Sequence, residues 1–193
     1  MHGRLGDGHR RLVLREATGL FAARGYGRVT VADIAAAAGV APKTVFASVG
    51  SKGDILNRIV DQGVAASGYE NAMDGLLALR TRESVLQALA RGTRVGNESQ
   101  FSVHEAIRKA LPVHEDGEAL WERATAAYRA ALREAALHLH TLDPPPAFSV
   151  ERTGDLLWYW FGPTGWRVLV AESGWSWGDA EEALYRTAVC AMG

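Results

Sequence analysis

Two His-Glu pairs, His104-Glu105 and His114-Glu115, are the first places where side chains of catalytic type stand together. A helix-borne metal hydrolase needs a second histidine four residues after the first, so that both imidazoles reach one ion from one helical face. Those positions hold Arg108 and Glu118. His138 and His140 are two apart, a spacing that turns them about 200° away from each other on a helix. No glycine-rich loop follows a strand pattern, no serine occupies a nucleophile elbow, and the carboxylates are scattered over polar helix faces. The residues therefore point to no metal, no cofactor and no catalysis.

A different constellation lies between Thr30 and Lys52, in TVADIAAAAGVAPKTVFASVGSK. On a short helix opened by Pro42, the residues Lys43, Thr44, Ala47 and Ser48 fall outward. One cation, two hydroxyls and a methyl on a narrow helix suit the major groove of DNA, where small side chains let the backbone approach the base edges. Charge agrees in sign. Residues 1–60 hold nine Lys and Arg against four Asp and Glu, a net +5, whereas the rest carries −6 within a whole-chain charge of −1. A basic head on an acidic body fits contact with a polyanion at one end.

The elements that must hold this helix can be read from spacing and punctuation. Val13, Ala17, Leu20 and Phe21 give a first helix an apolar stripe, and Gly25-Tyr26-Gly27 ends it. Thr30 caps a second helix, with Asp33 completing a capping-box-like pair, and Gly39 ends it at a turn that needs positive φ. Alanines 35–38 are expected to let the second and third helices cross closely, with Ile34 and Val40 plugging the small core. The third helix ends near Val49-Gly50, and Ser51 with Asp54 caps a long fourth helix from Lys52. Further helices are expected over 82–95, 100–111, 117–141, 150–161, 163–172 and 178–192, with a break at Gly96 and an extended link at Pro144-Pro145-Pro146. No strand or repeat pattern occurs, so the expected class is all-α.

The order and spacing of one set of residues resemble a known family. From about Arg11 to Ile59 the chain is similar to the N-terminal domain of TetR-type transcriptional regulators. The resemblance rests on Ala17, Leu20, Phe21, Ala22, Gly25 and Tyr26, then Thr30, Val31, Ile34, Ala35, Ala38, Gly39 and Val40. It continues through Lys43 to Phe46 and through Ser51, Lys52, Ile55 and Leu56. It implies a homodimer reading a roughly palindromic double-stranded DNA operator, repressing by the family's default. It also implies a helical body that binds a small, largely apolar effector and dimerises through its last helices. The implied division is a helix-turn-helix DNA-binding domain at 9–56 and a ligand-binding and dimerisation domain at 57–193. Thr30 and Lys52 would meet phosphate, and Lys43 and Thr44 would meet backbone or base edges, with Phe46, Ala47 and Ser48 on the same helix. Phe46, Ser48, Val49 and Gly53 stand where the family usually has tyrosine, histidine, phenylalanine and glutamate. Phe46 and Val49 are expected to keep the apolar packing, and Arg4, Arg10 and Arg11 would serve either as a mobile arm or as a solvated tail.

In the body, Phe101, His104, Trp121, Tyr128 and Trp158 are the candidate effector contacts. Aromatics concentrate late, at Phe148, Trp158, Tyr159, Trp160, Phe161, Trp166, Trp175, Trp177 and Tyr185, a density that fits either a dimer interface or ordinary core. Arg10, Arg11, Arg15 and Glu16 interrupt any signal-peptide pattern, no apolar run spans a membrane, and Cys190 is the single cysteine, which together favour a cytoplasmic protein. Two other classes remain open: a helical enzyme carrying a small three-helix head, and an interaction protein whose head has lost DNA affinity.

Overall fold

Every element of the computed structural model is helical among the described residues, which are 2–67 and 69–192 by backbone and 8–67 and 73–192 by side chain. Helix α1 spans His2–Arg24, a 3-10 turn covers Tyr26–Arg28, and α2 and α3 span Val31–Ala37 and Pro42–Val49. Then come α4 (Lys52–Ala65), α5 (Tyr69–Leu77), α6 (Arg82–Ala110), α7 (Gly117–Leu139) and α8 (Val150–Phe161). A short α9 (Pro163–Arg167) runs into a π turn at Val168–Glu172, and α10 (Trp177–Met192) closes the fold. No single helix among the described residues is long and apolar enough to cross a membrane.

Packing divides the chain into two compact units, each built from two stretches: residues 1–66 with 100–125, and 67–99 with 126–193. In the first unit, Val13, Ala17 and Phe21 of α1 meet Ile34 and Ala35 of α2 and Val45 and Val49 of α3. Ile55, Leu56, Ile59 and Val60 of α4 and Ala106, Ile107 and Leu120 of the later helices complete this core. In the second, Val85, Leu86 and Ala90 of α6 and Leu132 and Ala136 of α7 share a core with Leu157, Phe161, Trp166 and Leu184. Burial on this scale supplies the main drive for helices whose own propensities are modest.

Four expectations change. The break at Gly96 is absent: α6 is one helix of 29 residues. Asn97 Nδ2 donates to the Thr93 carbonyl at 2.8 Å, Arg94 pairs with Glu98 one turn on, and buried residues flank the glycine on both sides, which outweighs its poor helix propensity. Of alanines 35–38, only Ala35 and Ala38 are buried, so the close approach uses two small residues and Ala36 and Ala37 face solvent. Phe46 does not pack into the core as Val49 does; it is 55% exposed. The expected arm is helix as well, since α1 begins at His2 and carries Arg10 and Arg11, while the Arg4 side chain lies outside the described residues.

Candidate nucleic-acid interface

Helix α3 is presented by local chemistry on both sides. Upstream, Thr30 caps α2: its Oγ1 accepts from the Asp33 N–H at 3.1 Å, while the Thr30 N–H donates back to Asp33 Oδ2 at 2.8 Å. Gly39 takes φ +65°, a backbone conformation that any side chain would strain, and this sets the turn between α2 and α3. Downstream, Ser51 repeats the capping box on α4 with Asp54. The hydrogen bonds from Thr30 hold the Asp33 carboxyl below its ordinary range, and those from Ser51 do the same for Asp54.

The C-terminal end of α3 is gripped by two arginines. Arg10 Nε of α1 donates to the Ser48 carbonyl at 3.3 Å, and Arg58 Nε of α4 donates to the Val49 carbonyl at 3.2 Å. Cations belong at a helix C-terminus, where carbonyls lack intrahelical partners. Val45 and Val49, one turn apart, are buried, which turns the opposite face to solvent. Lys43, Phe46 and Ala47 are exposed on that face, with Thr44 and Ser48 half-buried at its edges.

Three of the candidate contacts carry hydrogen bonds within the fold. The Thr30 hydroxyl hydrogen goes to Asp33 Oδ2 at 2.6 Å, so this side chain has no donor left for phosphate. Lys52 Nζ donates to the carbonyls of Tyr26 and Val29, both at 3.0 Å, and lies 4.3 Å from the Tyr26 ring centre. It clamps the 3-10 turn to the start of α4. Ser48 likewise gives its hydroxyl hydrogen to the Val45 carbonyl at 3.2 Å. Sequence reasoning missed Arg58, because its carbonyl partner belongs to another helix and no local pattern announces it.

The five candidate effector contacts fall into two groups in separate units. In the first unit Phe101, His104 and Trp121 are half-buried, with the His104 and Trp121 rings 5.9 Å apart edge to face. Burial pushes His104 down to about 4, against a smaller opposing pull from Glu105, so its imidazole is neutral at pH 7. In the second, the Tyr128 and Trp158 rings are 5.6 Å apart. The Tyr128 hydroxyl is buried, accepts from Asn97 Nδ2 at 3.0 Å and donates to the Phe161 carbonyl, which Trp166 Nε1 also approaches at 3.1 Å. Trp158 also borders a half-open cleft of about 590 Å³ with Tyr159, Trp160, Val168 and Trp175. Gly165 lines it as well; a Cβ there would stand 2.5 Å from the Trp160 carbonyl oxygen, so only glycine lets α9 lie this close to α8. Among the described residues, no three His, Cys, Asp or Glu side chains could hold a metal ion.

Residues 13–59 match the family described as bacterial regulatory proteins, tetR family. The chain has the head and the all-α fold of a TetR-type regulator. The TetR-type head spans α1 from Val13 to α4; it includes both capping boxes and Arg58, while Arg10 lies three residues before it. The fold beyond the head is also found in solved structures. FadR of Bacillus subtilis in complex with stearoyl-CoA is 14% identical, with a TM-score of 0.71 over 95% of this chain and 99% of that one. The TetR family regulator PfmR of Thermus thermophilus is 19% identical, with a TM-score of 0.65 over 93% of each chain. A proposed transcriptional regulator of Saccharomonospora viridis in complex with choline is 19% identical, with a TM-score of 0.72 over 93% of this chain and 95% of that one. No curated protein matches the chain.

Proposed function

We propose that this TetR-type chain is a DNA-binding transcriptional regulator. Residues 9–56 read a roughly palindromic operator as part of a homodimer in the cytoplasm. Residues 57–193 dimerise and bind a small, largely apolar effector, and repression is the default direction. One observation carries the reading: α3 turns Lys43, Phe46 and Ala47 to solvent while caps and arginines from three other helices fix its position. The net +5 of residues 1–60 supports an anionic partner. The aromatic cleft of the second unit supports an apolar effector, as does the stearoyl-CoA held by the Bacillus subtilis protein of the same fold. An effector shifts the two recognition helices away from their spacing of about 34 Å only by as much as its affinity differs between the two states.

The deciding experiment is selection of bound fragments from the source genome, with competitor DNA present and salt varied. Recovery of one palindrome is the expected result. A second reading, an interaction protein with a weakened head, is favoured by the internal use of the Thr30 and Lys52 donors. Recovery of nothing above background would count against the first reading and favour the second, with Phe46→Tyr and Ser48→His as the next test.

A further inference from the structure

Helix α3 shows solvent a face whose middle is apolar. Phe46 is 55% exposed in the centre of an eight-residue helix, flanked on the same face by Ala47 and by Lys43 three residues earlier. A ring left in water gains from any apolar surface brought against it. On the C-terminal side of the ring its neighbours offer little to hydrogen-bond a base edge: Ala47 has only a methyl, and the Ser48 hydroxyl hydrogen is directed to the Val45 carbonyl. The ring's position is also fixed, because Arg10 and Arg58 hold the end of its helix from two sides.

In the major groove, the apolar feature that distinguishes base pairs is the C5-methyl of thymine. Cytosine carries only hydrogen there, and a phenyl ring has no hydrogen-bonding group with which to prefer any other edge. We propose that Phe46, with Ala47 beside it, reads thymine methyl groups in each half-site of the operator. The inference rests on the regulator reading above, and the basic charge of residues 1–60 favours duplex DNA as what covers this face. Phe46 thereby sets specificity by apolar contact, while Lys43 supplies the charge alongside it.

The test uses the full chain and the operator recovered by genomic selection. Thymines are replaced by deoxyuridine, one symmetric pair at a time, which deletes the methyl and leaves every hydrogen-bonding edge intact. One pair or two adjacent pairs should weaken binding by about fourfold per half-site, the effect of exposing one methyl group, while the remaining pairs have no effect. Phe46→Ala should abolish that sensitivity and Phe46→Tyr should keep it; a thermal melt of each variant verifies that the fold is intact. Tight operator binding with no thymine methyl that matters overturns the inference and leaves the regulator reading standing, as does a sensitivity undiminished in Phe46→Ala. Recovery of no specific fragment overturns both.

Discussion

Lys43 and Lys52 are the same residue type put to different use. Lys43 is exposed on the outer face of α3, whereas Lys52 directs its ammonium at the carbonyls of Tyr26 and Val29. Lys43→Ala should weaken DNA binding across sequences and make the salt slope shallower by about 1 per half-site, with melting unchanged. Lys52→Ala should leave the salt slope alone and cost about 1–2 kcal/mol of stability, because two carbonyls lose a charged donor. Fluorescence anisotropy against salt concentration, paired with urea melts, separates the two; a shallower slope without destabilisation in Lys52→Ala would return that residue to the phosphate-binding set. The difference also shows what the sequence can reveal. Helical geometry ties direction to spacing, so burying Val45 and Val49 makes the outward aim of Lys43 and Ala47 readable in advance, whereas the apolar character of Phe46 argued for packing that the same geometry denies it. The partners of Lys52 lie 26 and 23 residues upstream, and only the folded chain brings them to it.

Among the helices, the ones legible in the sequence are those whose ends are chemically marked. Thr30 with Asp33, Pro42, and Ser51 with Asp54 place the starts of α2, α3 and α4, because each cap satisfies backbone groups within three residues. Gly96 misleads for the opposite reason. A glycine marks a helix end most reliably where the backbone turns to positive φ, as among the described residues at Gly25, Gly39, Gly50 and Gly174; Gly162 ends α8 at φ −72° because Pro163 follows it. A Cβ at Gly96 would meet nothing within 4 Å. Gly96→Ala should therefore stabilise the protein by about 0.5–1 kcal/mol, readable as a higher urea midpoint with an unchanged m-value. A loss of stability would mean that α6 needs a pliable point there. The end of α4 at Ala65 falls just before Ser67-Gly68, punctuation that the expectation of one long helix from Lys52 passes over.

For the whole molecule, the late aromatics divide between buried and exposed positions. Trp160, Phe161 and Trp166 are buried, whereas Tyr159 is 72% exposed and Trp175 43%. Periodicity cannot sort them, because α8 carries aromatics at four successive positions and therefore on every side. The candidate effector contacts are scattered for a related reason: α7 is long enough for Trp121 and Tyr128 to belong to different packing units. If the exposed rings cover a partner chain, sedimentation should give twice the 20.8 kDa of one chain. A Tyr159→Asp, Trp175→Asp double variant should then sediment as a single chain and bind the operator weakly, since it loses the second half-site. A dimer undisturbed by both changes would place the interface elsewhere.

The same distribution of rings has an optical consequence. All six tryptophans lie at or beyond position 121, and five of them, from Trp158 to Trp177, belong to the second unit. The TetR-type head, residues 13–59, has none and is dark when indole is excited selectively. Any change in tryptophan emission on adding operator must therefore arise outside the surface that reads DNA. In a Trp121→Phe variant, such a change would come from the second unit alone and would report, with no label attached, that events at the head are felt there.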